Sequence, residues 1–373
     1  MKKSIAFVTT LVLICTLFAG CCGTPVVYYT ECTCPAGSHD VPAATEAPAE
    51  TQTPVIPLPD PSVGPVAYEG GLKTGLAVLA KLDGSASATA DAEGIAKYDV
   101  TLVAVTVDDQ GLIVDCVIDS IGTQVNFDAT GALVTDTAAE VLTKNELGDA
   151  YGMGAISVLG LEWNEQAAGL AEYAEGKTVE QLKTVAINES GYAVDADLVS
   201  TASINLFSYI YGIEAAVNNA QHLGAQAGDE LRLASISTLG DSAAATAEKA
   251  GNAQLTVDVT AVTMNGDKIT SCVIDSLQAK VAFDTTGAIT SDLAAPQTKN
   301  QLGTAYGMSA ISSIGKDWNE QAAAFAEYVK GMTAEEVAGI QINEATKPVD
   351  VDLASSVTIS IYGFLALIAK VCA

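Results

Sequence analysis

The sequence predicts an α+β protein: two tandem copies of an antiparallel hairpin sheet with helices packed to one side. Three observations lead there: a long internal repeat, alternating apolar runs broken by turn residues, and helical stripes placed after them. The repeat is plainest where Thr143-Lys144-Asn145-Glu146-Leu147-Gly148-Asp149-Ala150-Tyr151-Gly152-Met153 returns as Thr298-Lys299-Asn300-Gln301-Leu302-Gly303-Thr304-Ala305-Tyr306-Gly307-Met308. The offset is 298 − 143 = 155 residues, and it holds again for Trp163-Asn164-Glu165-Gln166 against Trp318-Asn319-Glu320-Gln321. Upstream, Cys116-Val117-Ile118-Asp119-Ser120 matches Cys272-Val273-Ile274-Asp275-Ser276 at 156, so one short insertion separates the halves. A period this long means duplicated domains, here 69–221 and 222–373, and not a solenoid of small units.

Within each copy the elements follow one order. Tyr98 to Val107 alternates, turns at Asp108-Asp109-Gln110-Gly111, and resumes from Leu112 to Asp119. The second copy runs Leu255 to Met264, turns at Asn265-Gly266-Asp267, and resumes from Lys268 to Asp275. Asn-Gly between alternating runs is a strong hairpin signal. A third strand and turn are expected at 124–131 and 280–287. Trp163, Ala167, Leu170, Ala171 and Ala174 share a helical face, as do Trp318, Ala322, Phe325, Ala326 and Val329. Gly176 and Gly331 are common helix stops. Thr178-Val179-Glu180-Gln181 and Thr333-Ala334-Glu335-Glu336 read as capping boxes opening a second short helix.

Ahead of the copies stand two further segments. Lys2 and Lys3 precede an apolar run from Ile5 to Phe18, which reads as a secretory signal over 1–20. It closes in Leu17-Phe18-Ala19-Gly20-Cys21, similar to a bacterial lipoprotein cleavage site with Cys21 as the lipidated residue. An ordinary signal cut near Ala19 or Gly20 is the alternative. Residues 21–68 are rich in Pro, Ala, Thr and Glu, a composition that buries no core and favours extended chain, so this stretch is expected to act as a tether. The expected location is therefore the extracytoplasmic face of a cell membrane, with the membrane reached through the lipid anchor.

Charge and residue supply narrow the function. The net charge of −28 repels nucleic acid and anionic headgroups. The two histidines, His39 and His222, lie outside the interior of either copy, which argues against a Ser–His–Asp triad or a histidine metal site. No phosphate-cradling or dinucleotide fingerprint occurs. Cys116 and Cys272 fall at matching strand positions and read as small core residues, while the Cys32–Cys34 pair suits a disulfide better than a metal.

The segment with most chemical content closes each copy. Asp197-Leu198-Val199-Ser200-Thr201-Ala202-Ser203 precedes an apolar stretch, Ile204 to Ala220, and Asp352-Leu353-Ala354-Ser355-Ser356-Val357-Thr358 precedes Ile359 to Ala369. Here the chain resembles the FMN-binding domain family of exported electron-transfer flavoproteins. That family esterifies flavin mononucleotide through its phosphate to a Thr or Ser in a motif of Asp, two residues, Ser, Gly, Ala, Thr. The resemblance implies Ser203 and Thr358 as attachment hydroxyls, with Asp197, Ser200, Asp352 and Ser355 completing the two sites. Thr201 and Ser356 stand where the motif has glycine, and Val357 where it has alanine.

The resemblance implies a covalent FMN in each copy and a redox partner protein, hence a flavin-dependent electron carrier rather than a hydrolase. It also implies a helix starting near Ser203 or Thr358 that aims free N–H groups at the phosphate. Tyr151–Met153 and Tyr306–Met308 are candidate loops over the ring, and Trp163 and Trp318 candidate stacking partners or core anchors. The alternative is a non-catalytic surface lipoprotein that binds an unknown ligand or partner, with the same hydroxyls serving as local caps.

Overall fold

The computed structural model describes residues 71–373, which lie within one compact unit, Leu58–Ala373. The signal segment, Cys21, the Cys32–Cys34 pair and the tether fall outside the described residues.

The first copy opens with three antiparallel strands in the order β1 (Lys73–Lys81), β2 (Gly94–Val107) and β3 (Ile113–Phe127). Five helices follow: α1 (Lys144–Leu147), α2 (Trp163–Ala174), α3 (Val179–Lys183), α4 (Ala196–Val199) and α5 (Phe207–Asn219). The second copy repeats this with β4 (Glu230–Thr238), β5 (Gly251–Asn265) and β6 (Lys268–Phe283). Its helices are α6 (Lys299–Leu302), α7 (Trp318–Tyr328), α8 (Ala334–Ala338), α9 (Val351–Ala354) and α10 (Tyr362–Val371). The α+β architecture of two antiparallel sheets with helices is as the sequence predicts.

Two details differ from the sequence reading. The outer strands β1 and β4 were not foreseen, and the expected third strand is the far half of β3 or β6, which each run unbroken to Phe127 or Phe283. The reason lies in what covers the sheet. Side chains of β2 alternate between two buried environments: Tyr98, Val100, Leu102 and Ala104 face one core, and Val103, Val105 and Val107 face another. A strand buried on both sides loses the polar alternation that marks an edge or a half-exposed sheet.

The first of those cores is common to both copies. Leu76, Val78, Tyr98, Val100 and Ile121 pack with Leu255, Val257, Leu277 and Val281 in one cluster, so the sheets lie face to face. Helices cover the outer faces, with Trp163, Leu170, Leu206 and Ile213 on one side and Trp318, Phe325, Leu367 and Ile368 on the other. The layering is helices, sheet, sheet, helices. The repeat boundary near 221 divides the sequence but not this shared core.

The join is reciprocal. Phe127 and Phe283 stack with centroids 4.0 Å apart and planes 3° from parallel. Ala88 N–H donates to Gly287 O, and its counterpart Ala245 N–H donates to Gly131 O, both at 2.8 Å. Gly131 and Gly287 have φ of +73° and +70°, and a Cβ on either would meet the other copy's backbone at 2.8 Å or 2.6 Å. Each patch therefore meets its own counterpart, as in a two-fold homodimer joined into one chain.

Local signals behave as their chemistry dictates. Asp108 caps the β2–β3 turn by accepting from Gln110 and Leu112 N–H. The β5–β6 turn closes Asn265 on Lys268. The expected capping boxes at Thr178–Gln181 and Thr333–Glu336 form, and Thr143–Glu146 and Thr298–Gln301 add two more. Cys116 and Cys272 are buried free thiols on β3 and β6. Among the described residues no helix is long and apolar enough to cross a membrane.

Candidate functional site

The site is built around one buried amide. Gln166 lies three residues after Trp163, on the inward face of α2, and is fully buried. Its Nε2 donates to Leu161 O at 2.9 Å and to Ser157 Oγ at 3.2 Å. Its Oε1 accepts from Ser203 N–H at 2.7 Å and from Ser203 Oγ at 3.0 Å. The second copy repeats the device. Gln321 Nε2 donates to Lys316 O and Ser312 Oγ, and its Oε1 accepts from Thr358 N–H at 2.8 Å and Thr358 Oγ1 at 3.2 Å. A buried amide satisfied at both ends fixes the loop that carries the hydroxyl.

Ser203 stands in the wall of a cavity of about 360 Å³, with Lys144, Met153, Trp163, Tyr192 and Tyr209 around it. That volume is within the usual range for small-molecule sites, roughly 300–1,000 Å³. Trp163 Nε1–H donates to Tyr209 OH at 3.2 Å, with their rings 5.8 Å apart. Lys144 Nζ sits 4.9 Å from the Trp163 ring and 5.0 Å from the Tyr151 ring. Lys299 holds the matching place over Trp318 and Tyr306, and burial pulls its pKa down against the raising effect of Asp258 and Asp275.

These lysines are placed by the segments before them. Asn145 N–H donates to Asp119 Oδ1 and its Nδ2 to Ile118 O, which docks α1 on β3; Asn300, Asp275 and Ile274 do the same in the second copy. Burial raises the carboxyl pKa of Asp119 and of Asp275, opposed in each by the threonine hydroxyl and two backbone N–H groups around it. The conspicuous Lys-Asn-Glu/Gln-Leu-Gly repeat is thus an anchor that presents a lysine.

The other expected residues are not brought to this cavity's wall. Asp197 and Asp352 are exposed, in the first turns of α4 and α9. Ser200 and Ser355 are exposed too, and their hydroxyls donate back to Asp197 O and Asp352 O, as local helix-end bonds. The helix expected to start near Ser203 or Thr358 begins later, at Phe207 or Tyr362. This corrects the phosphate-cradle expectation: Ser203 and Thr358 N–H point to glutamine, not to an open helix end. Trp163 and Trp318 are buried in the cores under the helices, and Trp163 also walls the cavity. The decisive residues missed by sequence reading are Gln166 and Gln321. Their signal was a polar side chain recurring on an otherwise apolar helical face.

No family model, no curated protein and no solved structure matches this chain.

The walls of the first-copy cavity suit the ring of a flavin, with aromatic faces and a hydroxyl among them. Lys144 is the cation in that wall, and α5 begins beyond it at Phe207.

Proposed function

We propose that this chain is an exported, lipid-anchored protein, acylated at Cys21, that carries flavin mononucleotide esterified through its phosphate to Ser203. The single observation that carries the reading is Ser203 Oγ in the wall of an aromatic, lysine-bearing cavity, on a loop fixed by Gln166. Thr358, fixed the same way by Gln321, is the second attachment point. A bound flavin supplies reversible electron uptake. The protein's own part is narrower. Gln166 sets the position of the hydroxyl, Lys144 brings positive charge to an acidic molecule, and Trp163 and Tyr209 give flat apolar walls. The electrons would pass to a redox partner protein outside the cytoplasm.

A second reading is supported by one observation. Gln166 and Gln321 engage both the N–H and the hydroxyl of Ser203 and Thr358, which is how a purely local loop anchor behaves. On that reading the chain is a non-catalytic surface lipoprotein binding a ligand or partner noncovalently.

Intact mass of the protein exported from a host with a flavin transferase separates the two. Added FMN mass that survives denaturation, falling by one flavin in Ser203→Ala and by one in Thr358→Ala, supports the carrier. A colourless protein whose Ser203 and Thr358 peptides have unmodified masses ends it. Loss of membrane association in Cys21→Ala checks the anchor independently.

A further inference from the structure

We propose that the first copy has a second small-molecule site, for a flat anionic ligand, in a cleft between the β1–β2 face and the start of α5. The cleft measures about 680 Å³ and is lined by Lys81, Lys144, Phe207, Tyr209 and Tyr211, with Asp99 at its wall. It adjoins the Ser203 cavity, sharing Lys144, Asn205 and Tyr209 with it, but Ser203 is not among its lining residues.

Charge picks the ligand's sign. The chain has 17 Lys and Arg against 45 Asp and Glu, so a place where cations outnumber carboxylates stands out. Lys73, Lys97, Lys183, Arg232, Lys268, Lys330 and Lys370 each pair with a carboxylate. Lys81 and Lys144 are among the described lysines that form no ion pair, and they meet in this cleft. Lys81 Nζ instead donates to Ser208 Oγ at 2.8 Å. The one carboxylate in the wall, Asp99, is already bridged to Lys97 at 3.0 Å. The cleft therefore offers two ammonium groups against one carboxylate that already bridges Lys97, in a molecule that is otherwise strongly negative.

The aromatic residues pick the ligand's shape. Phe207 and Tyr211 are 47% and 62% exposed, large apolar surfaces left at the mouth. Rings of this kind take a planar partner by offset stacking.

The second copy supplies an internal comparison. At the repeat offset, Tyr362 matches Phe207, but Ala366 stands for Tyr211 and Gly363 for Ser208. Strand register aligns Lys81, which pairs with Asp99, with Thr238, which pairs with Thr256. The framework, with Lys299 in the place of Lys144, is duplicated, while Lys81 and Tyr211 are present in the first copy alone. Core packing does not require them, since the second copy folds the same way without them.

The site shares Lys144 and Tyr209 with the proposed flavin site, so the chain is produced in a host without a flavin transferase. The site is tested by isothermal titration of the full chain with naphthalene-2-carboxylate and, as the uncharged counterpart, naphthalene-2-carboxamide. The expected result is binding of the carboxylate, at least tenfold weaker binding of the amide, and at least tenfold weaker carboxylate binding in both Lys81→Gln and Tyr211→Ala. Both side chains are exposed, and an unchanged melting temperature verifies that the variants fold. Ser203→Ala should bind the carboxylate as the parent does, which separates this site from the flavin reading. No binding of the carboxylate, equal binding of the amide, or parental affinity in either variant overturns the proposal.

Discussion

At the residue scale, the molecule's most consequential polar groups are two glutamines on buried helical faces. Gln166 ties two segments, the loop holding Ser157 and Leu161 and the one holding Ser203, to one side chain. Gln166→Leu would keep the volume but leave the Ser203 N–H and Leu161 O with no partner. An unpaired buried group costs about 1–3 kcal/mol, so a stability loss of that order is expected in chemical denaturation. Ser203→Ala removes the hydroxyl's bonds to Gln166 and Ser157 but keeps the Ser203 N–H bond, and should cost less, about 1 kcal/mol. Glu175 gives a pH prediction. Burial, then the nearby charges of Asp115 and Glu172, push its carboxyl up from 4.5 to about 7. The folded state holds that proton more tightly than the unfolded chain. Glu175 therefore lowers stability as pH rises from about 4.5 through about 7, the window between its unfolded and folded values. The residue as a whole is exposed, so water screens part of the effect and the slope is shallow. Melting temperatures of Glu175→Gln should exceed the parent's at pH 8 and match them at pH 4.

At the scale of elements, the contact between strand and closing helix sets the shape of each half. Gly75 on β1 meets α5 so closely that a Cβ would lie 2.0 Å from Ala216 O. Backbone cannot yield as a side-chain tip can, so Gly75→Ala must push α5 off the sheet. Overpacking of this kind costs typically about 1–3 kcal/mol, and a loss at or above that range is expected. If Gly75→Ala melts with the parent, the close approach is not what seats α5. The same scale explains how much of the site was legible. The Trp-Asn-Glu-Gln repeat, its helical phase and the Thr-x-x-Glu/Gln boxes all predict the helices that form, because each rests on contacts within a few residues. The start of α5 was not legible. Apolar residues from Ile204 onward suit a helix or a buried extended loop equally, and Gln166, 37 residues away in sequence, pulls Ser203 into the latter.

For the whole molecule, the shared core between the sheets is the dominant fact. Each half presents to its partner the face formed by Tyr98, Val100 and Leu102 or by Leu255, Val257 and Val259. Cut at the repeat boundary, each half would expose that face to water, a liability of the kind that drives aggregation. The two copies should therefore unfold in a single calorimetric transition, not two. Phe127→Ala, which removes half of the stacked pair, should lower that one transition by about 3–5 kcal/mol. Two resolved transitions, with only the first shifted by Phe127→Ala, would mean that the halves are independent.

The sequence by itself determined the duplication, the α+β class, the hairpins, the helix faces and their caps. Those follow from periodicity and from hydrogen bonds spanning three or four residues, which a linear text records. Only the tertiary structure decided that the copies share one core, that β2 and β5 are buried on both faces, and which hydroxyls meet which amide. Those outcomes depend on surfaces and side chains brought together from distant parts of the chain, and apolar residues look alike in sequence whichever neighbour eventually covers them.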